Sequence, residues 1–180
     1  MERKTVWNDA GRSGLVLGGV SAAYMVLNLL LGKINGGTAA SVLVNVASLL
    51  LWVVKFVLCI KLMKLFMQKF ADSREGVTNG DSFRFGTATA LLSAMVYSAF
   101  SLAWVTFIQP DLYTEAFAAA FDSLSSNLTS AQIEALEELP GKMPAISFFA
   151  NLVWCWLFGT VLAAIFSRNI PPRNPFADNQ

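Results

Sequence analysis

The chain alternates between long apolar stretches and shorter polar ones. Four apolar stretches reach the roughly 20 residues that a helix needs to cross a bilayer. They cover about residues 13–32, 39–60, 85–108 and 146–166. A soluble core does not need so many uninterrupted apolar positions. The pattern therefore predicts an all-α integral membrane protein, with a four-helix bundle forming a single domain over residues 1–167.

The longest interruption lies between the third and fourth stretches, at residues 109–144. Apolar residues between positions 112 and 124 recur at helical spacing, which predicts an amphipathic helix. Thr129 and Gln132 have the spacing of a capping box, and we expect Pro140–Gly141 to end a second short helix. This segment is therefore predicted to form a short external helical hairpin. The proline-rich residues 168–180 are predicted to form a flexible cytoplasmic tail.

Basic residues are unevenly distributed between the two sides of the predicted bundle. Ten of the 13 lysines and arginines precede the first stretch, separate the second from the third, or follow the fourth. Lys33 and Lys142 lie on the other side, and Lys55 lies inside a stretch. Because basic loops favour the cytoplasmic side, we expect a multi-pass membrane protein with both termini and the loop between the second and third stretches in the cytoplasm.

The composition argues against several kinds of chemistry. The chain has no histidine, two cysteines and a net charge of +1. Both cysteines lie inside apolar stretches, so we expect no disulfide framework and no metal site. No nucleophile–base pair and no glycine-rich phosphate loop stands out. We therefore expect neither enzymatic activity, nor a cofactor, nor nucleic-acid binding.

The polar residues of the second stretch fall on one helix face. With Trp52 they follow one another at steps of four and three residues: Ser41, Asn45, Ser48, Trp52, Lys55 and Cys59. This face is expected to look into the bundle. We expect Lys55 to extend toward the cytoplasmic edge, near Asp81 or Asp9. A second interpretation is an anion site for a lipid phosphate, formed by Lys55, Lys61, Lys64 and Arg84. A proton relay is a third, although it would normally include an acid or histidine within the membrane.

Polar and small residues predict two further features of the bundle. Four polar residues lie at similar depth in the outer half: Asn28, Asn45, Ser101 and Asn151. They are expected to form a hydrogen-bonded polar layer or, alternatively, the floor of a small polar cavity. Small residues recur every four positions on three stretches, at Gly14, Gly18, Ala22, Gly86, Ala90, Ala94, Gly159 and Ala163. Since close approach of membrane helices requires small side chains, these rows predict helix contacts.

The chain also resembles a known family. The four-helix layout, the turn REGVTNGDSFRFGTA before the third helix, and a fourth helix that begins PAISFFANLVW and ends LAAIFSRNIPPRNPF are similar to the bacterial membrane family called domain of unknown function 4199. The resemblance extends over almost the whole chain. It implies a bacterial inner-membrane protein and assigns no catalytic residues.

These observations predict a small, non-enzymatic accessory or scaffold protein. Its basic cytoplasmic face would recruit anionic phospholipid or a partner at the membrane surface. By analogy with other small four-helix membrane proteins, one candidate partner is a polyprenyl-phosphate glycosyltransferase. The alternative function is a small transporter or channel subunit that acts as a homo-oligomer. A continuous polar cavity would favour this alternative, whereas a sealed apolar axis would favour the scaffold.

Overall fold

The computed structural model describes residues 3–33, 38–74, 76–124 and 139–170. Within these ranges the chain forms five helices and no strand: α1 (Arg3–Gly32), α2 (Thr38–Asp72), α3 (Asn79–Phe107), α4 (Leu112–Leu124) and α5 (Leu139–Asn169). The prediction of an all-α fold is confirmed. Four of these helices, α1, α2, α3 and α5, are long and apolar enough to cross a membrane, as in a membrane protein.

The long helices extend beyond the predicted apolar stretches. The stretch predicted at 39–60 lies within α2, which has 35 residues. At about 1.5 Å per residue α2 is roughly 50 Å long, well beyond the ~30 Å of a hydrocarbon core. The added turns are rich in lysine, leucine and methionine, which favour helix. Hydropathy shows only where a helix is apolar. A helix can therefore continue through polar turns beyond the end of its apolar stretch.

Helix α3 lies in the middle of the bundle. It packs along α1 on one side and along α5 on the other, whereas α2 packs mainly on α1. The helices alternate in direction along the chain, so that α1 and α3 start at the end of the bundle where α2 and α5 finish. We call this end, with its buried residues Ala10, Met67, Phe70, Phe85 and Ile170, the closed end.

The contact between α3 and α5 depends on two glycine–alanine pairs. A Cβ atom built on Gly86 would lie 2.7 Å from the Cβ of Ala163, and one built on Gly159 would lie 2.5 Å from the Cβ of Ala90. Both distances are too short for two side chains. Each pair therefore combines one glycine with one alanine, and this lets the two backbones approach closely.

Glycines of α1 make the corresponding contact with the other side of α3. A Cβ atom on Gly14 would lie 2.8 Å from the Cβ of Leu92, and one on Gly18 would lie 2.7 Å from the Cβ of Val96. The structure thus places these two predicted packing residues at a helix contact. Ala94 is also buried and Ala22 is half-buried.

Stacking and capping hold the closed end together. The rings of Phe70 and Phe85 stack with centroids 4.2 Å apart, and the guanidinium of Arg74 lies 4.6 Å from the Phe70 ring. Arg74 also donates a 2.7 Å hydrogen bond to the carboxylate of Asp9 in an ion pair. Thr78 and Asp81 form a capping box at the start of α3. These contacts tie α1, α2 and α3 together at one end.

The segment between α3 and α5 differs in part from the prediction. Helix α4 corresponds to the predicted amphipathic helix, and the Tyr113 hydroxyl donates a 2.6 Å hydrogen bond to Ser147 of α5. The predicted start of the fourth helix near residue 146 is wrong, because α5 already begins at Leu139 and includes Pro140 and Gly141 in its first turn. Proline fits the first turn of a helix, where its missing N–H has no partner to lose. The predicted second helix of the hairpin falls on residues 125–138, outside the described residues.

The tail begins slightly later than predicted. Helix α5 continues to Asn169, and Ile170 is buried at the closed end. The remaining predicted tail, residues 171–180, lies outside the described residues.

Candidate functional site

The four long helices line a half-open cavity of about 420 Å³ near the middle of the bundle. We call it the central cavity. Its polar lining residues are Ser21, Lys55, Cys59, Ser93, Tyr97, Asn151 and Cys155. The rest of its lining is apolar or aromatic, including Trp52, Phe56, Trp154 and Phe158.

Lys55 projects into the bundle between two tyrosine rings. Its ammonium nitrogen lies 4.9 Å from the centre of the Tyr24 ring of α1 and 5.1 Å from that of the Tyr97 ring of α3. Ring faces attract a cation at such distances, by about 0.5–2 kcal/mol for each ring. Lys55 is half-buried. The side chain thus looks toward α1 and α3, as expected from the helix face that it shares with Trp52 and Cys59.

The predicted direction of Lys55 along the helix is wrong. We expected its ammonium at the closed end near Asp81 or Asp9, but Asp81 caps α3 and Asp9 pairs with Arg74. The Cα–Cβ bonds of a helix tilt toward its N-terminus. Since α2 finishes at the closed end, this tilt directs Lys55 away from that end and toward the tyrosines.

Lys55 has no carboxylate partner among the residues that the structure describes. The sequence explains why, since no aspartate or glutamate occurs at residues 10–71, 85–110 or 139–170. The nearby polar groups are neutral: hydroxyls, the Asn151 amide and two free thiols, Cys59 and Cys155. Within the described ranges no group of three side chains could hold a metal ion. The central cavity therefore carries one uncompensated positive charge.

Aromatic side chains frame the cavity where α2 approaches α5. Trp52 stacks on Phe56 with ring centres 5.5 Å apart, and Phe56 lies 5.6 Å from Phe158 of α5. These three rings are partly exposed, and Trp154 beside them is 74% exposed. In a membrane these exposed surfaces would contact acyl chains. The frame therefore forms an apolar lateral mouth.

The cavity is closed in the direction of the closed end. Met63 lines the cavity and also belongs to the buried core. Beyond Met63, Met67 and Ala163 are fully buried against Gly86. The central cavity is thus a pocket with a packed floor on this side.

Comparison with known proteins assigns the chain to a family. A family model described as "Protein of unknown function (DUF4199)" matches residues 12–168. The chain belongs to this family. No curated protein and no solved structure matches it. The matched range includes the central cavity and the close helix contacts, so both lie within the DUF4199 region.

In this DUF4199 chain, the four polar residues predicted to form a layer are not assembled. Asn28 and Asn45 are exposed, Ser101 is half-buried, and Asn151 alone lines the central cavity. No side-chain hydrogen bond joins these four described residues. Residues at similar depth on different helices meet only if they also face each other, and depth alone does not determine that.

The four residues predicted to bind an anion are also separated. Lys55 lines the central cavity, whereas Lys61 and Lys64 are exposed on α2. Arg84 lines a different groove, of about 620 Å³, together with Trp7 and Trp156. The DUF4199 structure thus splits this set between the central cavity and the outer surface of the closed end.

Two residues of the site were missed from the sequence. Tyr24 and Tyr97 are the two tyrosines within the predicted membrane stretches. A tyrosine in an apolar stretch has a polar hydroxyl that needs a partner, as well as a ring face that attracts cations. This signal would have marked α1 and α3 as neighbours of Lys55 in the DUF4199 fold.

Proposed function

We propose that this DUF4199 protein is a small, non-enzymatic membrane accessory or scaffold protein. Its closed end would face the cytoplasm and recruit anionic phospholipid headgroups, and through them a partner at the membrane surface. The observation that carries the proposal is the charge distribution around the closed end. Six described basic residues there are exposed: Arg12, Lys61, Lys64, Lys69, Arg84 and Arg168.

The three described acidic residues at this end, Asp9, Asp72 and Asp81, are already engaged within the protein. Asp9 is paired with Arg74, and Asp81 binds Thr78 in the capping box. Their carboxylates therefore already make contacts within the protein. An anionic membrane surface attracts nearby lysine or arginine residues by about 1 kcal/mol each. We call the six exposed basic residues of the closed end the basic rim. Together they favour contact with anionic headgroups.

The same distribution supports the proposed orientation in a bacterial inner membrane. The described charged residues at the opposite end are two basic ones, Lys33 and Lys142, and two acidic ones, Asp111 and Glu115, all exposed. Six exposed basic residues at the closed end thus compare with two here. Basic ends of membrane helices favour the cytoplasmic side. Both described termini of the bundle lie at the closed end, so both would be cytoplasmic.

The proposed partner is an enzyme at the membrane surface. A polyprenyl-phosphate glycosyltransferase remains a candidate by analogy only, and assembly into a homo-oligomer remains a prediction. A basic rim would suit a peripheral enzyme that also binds anionic lipid, because both would gather at the same membrane surface.

The test measures retained phospholipid. We would replace Lys61, Lys64 and Lys69 together by glutamine and purify the protein from mixed phosphatidylethanolamine–phosphatidylglycerol membranes in mild detergent. Native mass spectrometry should then detect less phosphatidylglycerol on the triple variant than on the wild type. Lys33→Gln, which removes an exposed lysine from the opposite end, is the control and should change nothing. Equal phosphatidylglycerol on the triple variant and the wild type would contradict the proposal.

The transporter or channel remains the alternative function. The central cavity supports it in one respect, since a charged side chain lines a space between the helices. Its packed floor at Met67 and Ala163 argues for binding over passage in this conformation. Passage would require α2 to move away from α3 and α5 at the closed end. Ion or solute flux through proteoliposomes would favour this alternative.

A further inference from the structure

We propose that the central cavity binds the carboxylate of a single-chain membrane amphiphile, such as a long-chain fatty acid. The carboxylate would pair with Lys55 and accept a hydrogen bond from the Asn151 amide. The alkyl chain would leave through the aromatic mouth between α2 and α5. This site is distinct from the basic rim of the closed end and does not depend on the function proposed for it.

The first argument is the uncompensated charge. A charged group buried away from water is costly unless it is paired. Two tyrosine rings stabilise the Lys55 ammonium, but no described carboxylate neutralises it. A ligand with one negative charge would complete the ion pair in surroundings where such a pair is strong. The charge of the cavity therefore selects an anion.

The second argument concerns the type of anion. A phosphomonoester carries about 1.5 to 2 negative charges at neutral pH, and a single ammonium would leave part of that charge uncompensated. A carboxylate carries one. Low-dielectric surroundings favour the protonated, uncharged form of a carboxyl group, so an acid can pass the apolar mouth without a charge. Its proton is released to water when the carboxylate pairs with the Lys55 ammonium. One lysine behind an aromatic mouth thus matches a carboxylic acid better than a phosphomonoester.

The third argument is the shape and lining of the site. A volume of about 420 Å³ falls in the usual range of small-molecule pockets, ~300–1,000 Å³. The polar lining residues Lys55, Asn151, Ser93 and Ser21 are half-buried, whereas the three aromatic rings that we take as the mouth, Trp52, Phe56 and Phe158, are exposed. An amphiphile bound with its polar head inside the cavity and its alkyl chain at the mouth would match this distribution of polar and aromatic residues. A two-chain phospholipid would have to bring its whole headgroup through the mouth.

The test uses the full-length protein in detergent and three probes. Native mass spectrometry would measure the binding of hexadecanoic acid, hexadecan-1-ol and dioleoyl phosphatidic acid. We expect one hexadecanoic acid per chain. The alcohol has the same chain length without the charge and should bind at least about tenfold more weakly, as expected for the loss of a charge-assisted contact. Lys55→Met should bind the acid no better than the alcohol, whereas Lys33→Met should bind like the wild type.

A second variant distinguishes loss of the ammonium from a folding defect, and a crosslinking experiment locates the site. Lys55→Arg retains the charge and should restore binding if Lys55→Met loses it through the missing ammonium. A fatty acid with a photoreactive group a few carbon atoms from its carboxylate should crosslink to the mouth, at Trp52, Phe56, Trp154 or Phe158. Crosslinks confined to the closed end would overturn the assignment, as would acid binding that Lys55→Met leaves unchanged. Tighter, Lys55-dependent binding of phosphatidic acid would assign the cavity to lipid phosphate and overturn the carboxylate. Absence of hexadecanoic acid binding to the wild type would overturn the proposal as a whole.

Discussion

Replacing Gly159 by alanine tests whether the close approach of α3 and α5 holds the bundle together. The added methyl carbon would lie 2.5 Å from the Cβ of Ala90 and 3.4 Å from its Cα. Carbon atoms in contact prefer about 3.5–4.0 Å, so the first distance is short by at least about 1 Å. Neither atom can rotate away, because the position of a Cβ atom is determined by the helix backbone. The two helices must therefore move apart or slide.

The expected cost follows from two opposing effects. Overpacking of a well-packed contact costs about 1–3 kcal/mol. Alanine also stabilises a helix interior over glycine by about 0.5–1 kcal/mol. Gly19→Ala in α1 provides the matched control, because a Cβ atom there meets nothing within 4 Å. Gly19→Ala stabilises its helix in the same way but introduces no steric clash. The difference in free energy of unfolding between the two variants therefore measures the clash alone.

The assay is equilibrium unfolding in mixed dodecyl maltoside and sodium dodecyl sulfate micelles, followed by circular dichroism. Gly159→Ala should be less stable than Gly19→Ala by about 1–3 kcal/mol. Adding Ala90→Gly to Gly159→Ala should recover part of the loss, since the methyl group then moves from one helix to the other. Equal stability of Gly159→Ala and Gly19→Ala would refute the close contact. Strictly additive effects of Gly159→Ala and Ala90→Gly in the double variant would refute it as well.

Three further predictions test other parts of the structure. In a cysteine-free background, Ser73→Cys should react with an impermeant maleimide only from the cytoplasmic side and Thr114→Cys only from outside; the reverse result would invert the orientation. Thr78→Ala should destabilise the protein by about 1 kcal/mol in the same unfolding assay through loss of the N-cap of α3, whereas Thr78→Ser should be near neutral; equal effects of the two would contradict a role for the hydroxyl. Lys55→Met, measured in delipidated protein, should be as stable as the wild type or more so, because it removes a charge that is costly to desolvate; a clear loss of stability would mean that the tyrosine contacts outweigh this cost.

Much of the architecture follows from patterns that are local in the sequence. An apolar stretch long enough to cross a bilayer must satisfy its backbone internally, and hence forms a helix. Glycines at steps of four mark a face that can approach another backbone, as Gly14 and Gly18 do in α1. Such rows depend only on helix geometry and side-chain size. The sequence does not state which row meets which, and the pairing of Gly159 with Ala90 required the structure.

The parts of the site that the sequence did not predict depend on the arrangement of whole helices. Asn45 and Lys55 share the predicted polar face of α2, yet Asn45 is exposed and Lys55 lines the cavity. Residues share a face because of the geometry of one helix. Their burial depends on how far the neighbouring helices extend alongside that face. The direction of Lys55 was predictable in principle. The tilt of helical side chains toward the N-terminus, with α2 finishing at the closed end, already favours the tyrosines over Asp81.

The packing of α2 separates the two proposed sites in space and in mechanism. Near its C-terminus α2 is held by buried Met67 and Phe70 and by the pairing of Arg74 with Asp9, whereas most apolar residues of its N-terminal half are exposed. Any widening of the mouth between α2 and α5 would therefore pivot on the closed end and leave the basic rim in place. Two consequences follow for the variants. Lys55→Met should weaken fatty-acid binding to the level of the alcohol without reducing retained phosphatidylglycerol. The triple replacement of Lys61, Lys64 and Lys69 should reduce retained phosphatidylglycerol and leave fatty-acid binding unchanged. If either change altered both kinds of binding, the two sites would be coupled, and α2 would have to move as a whole.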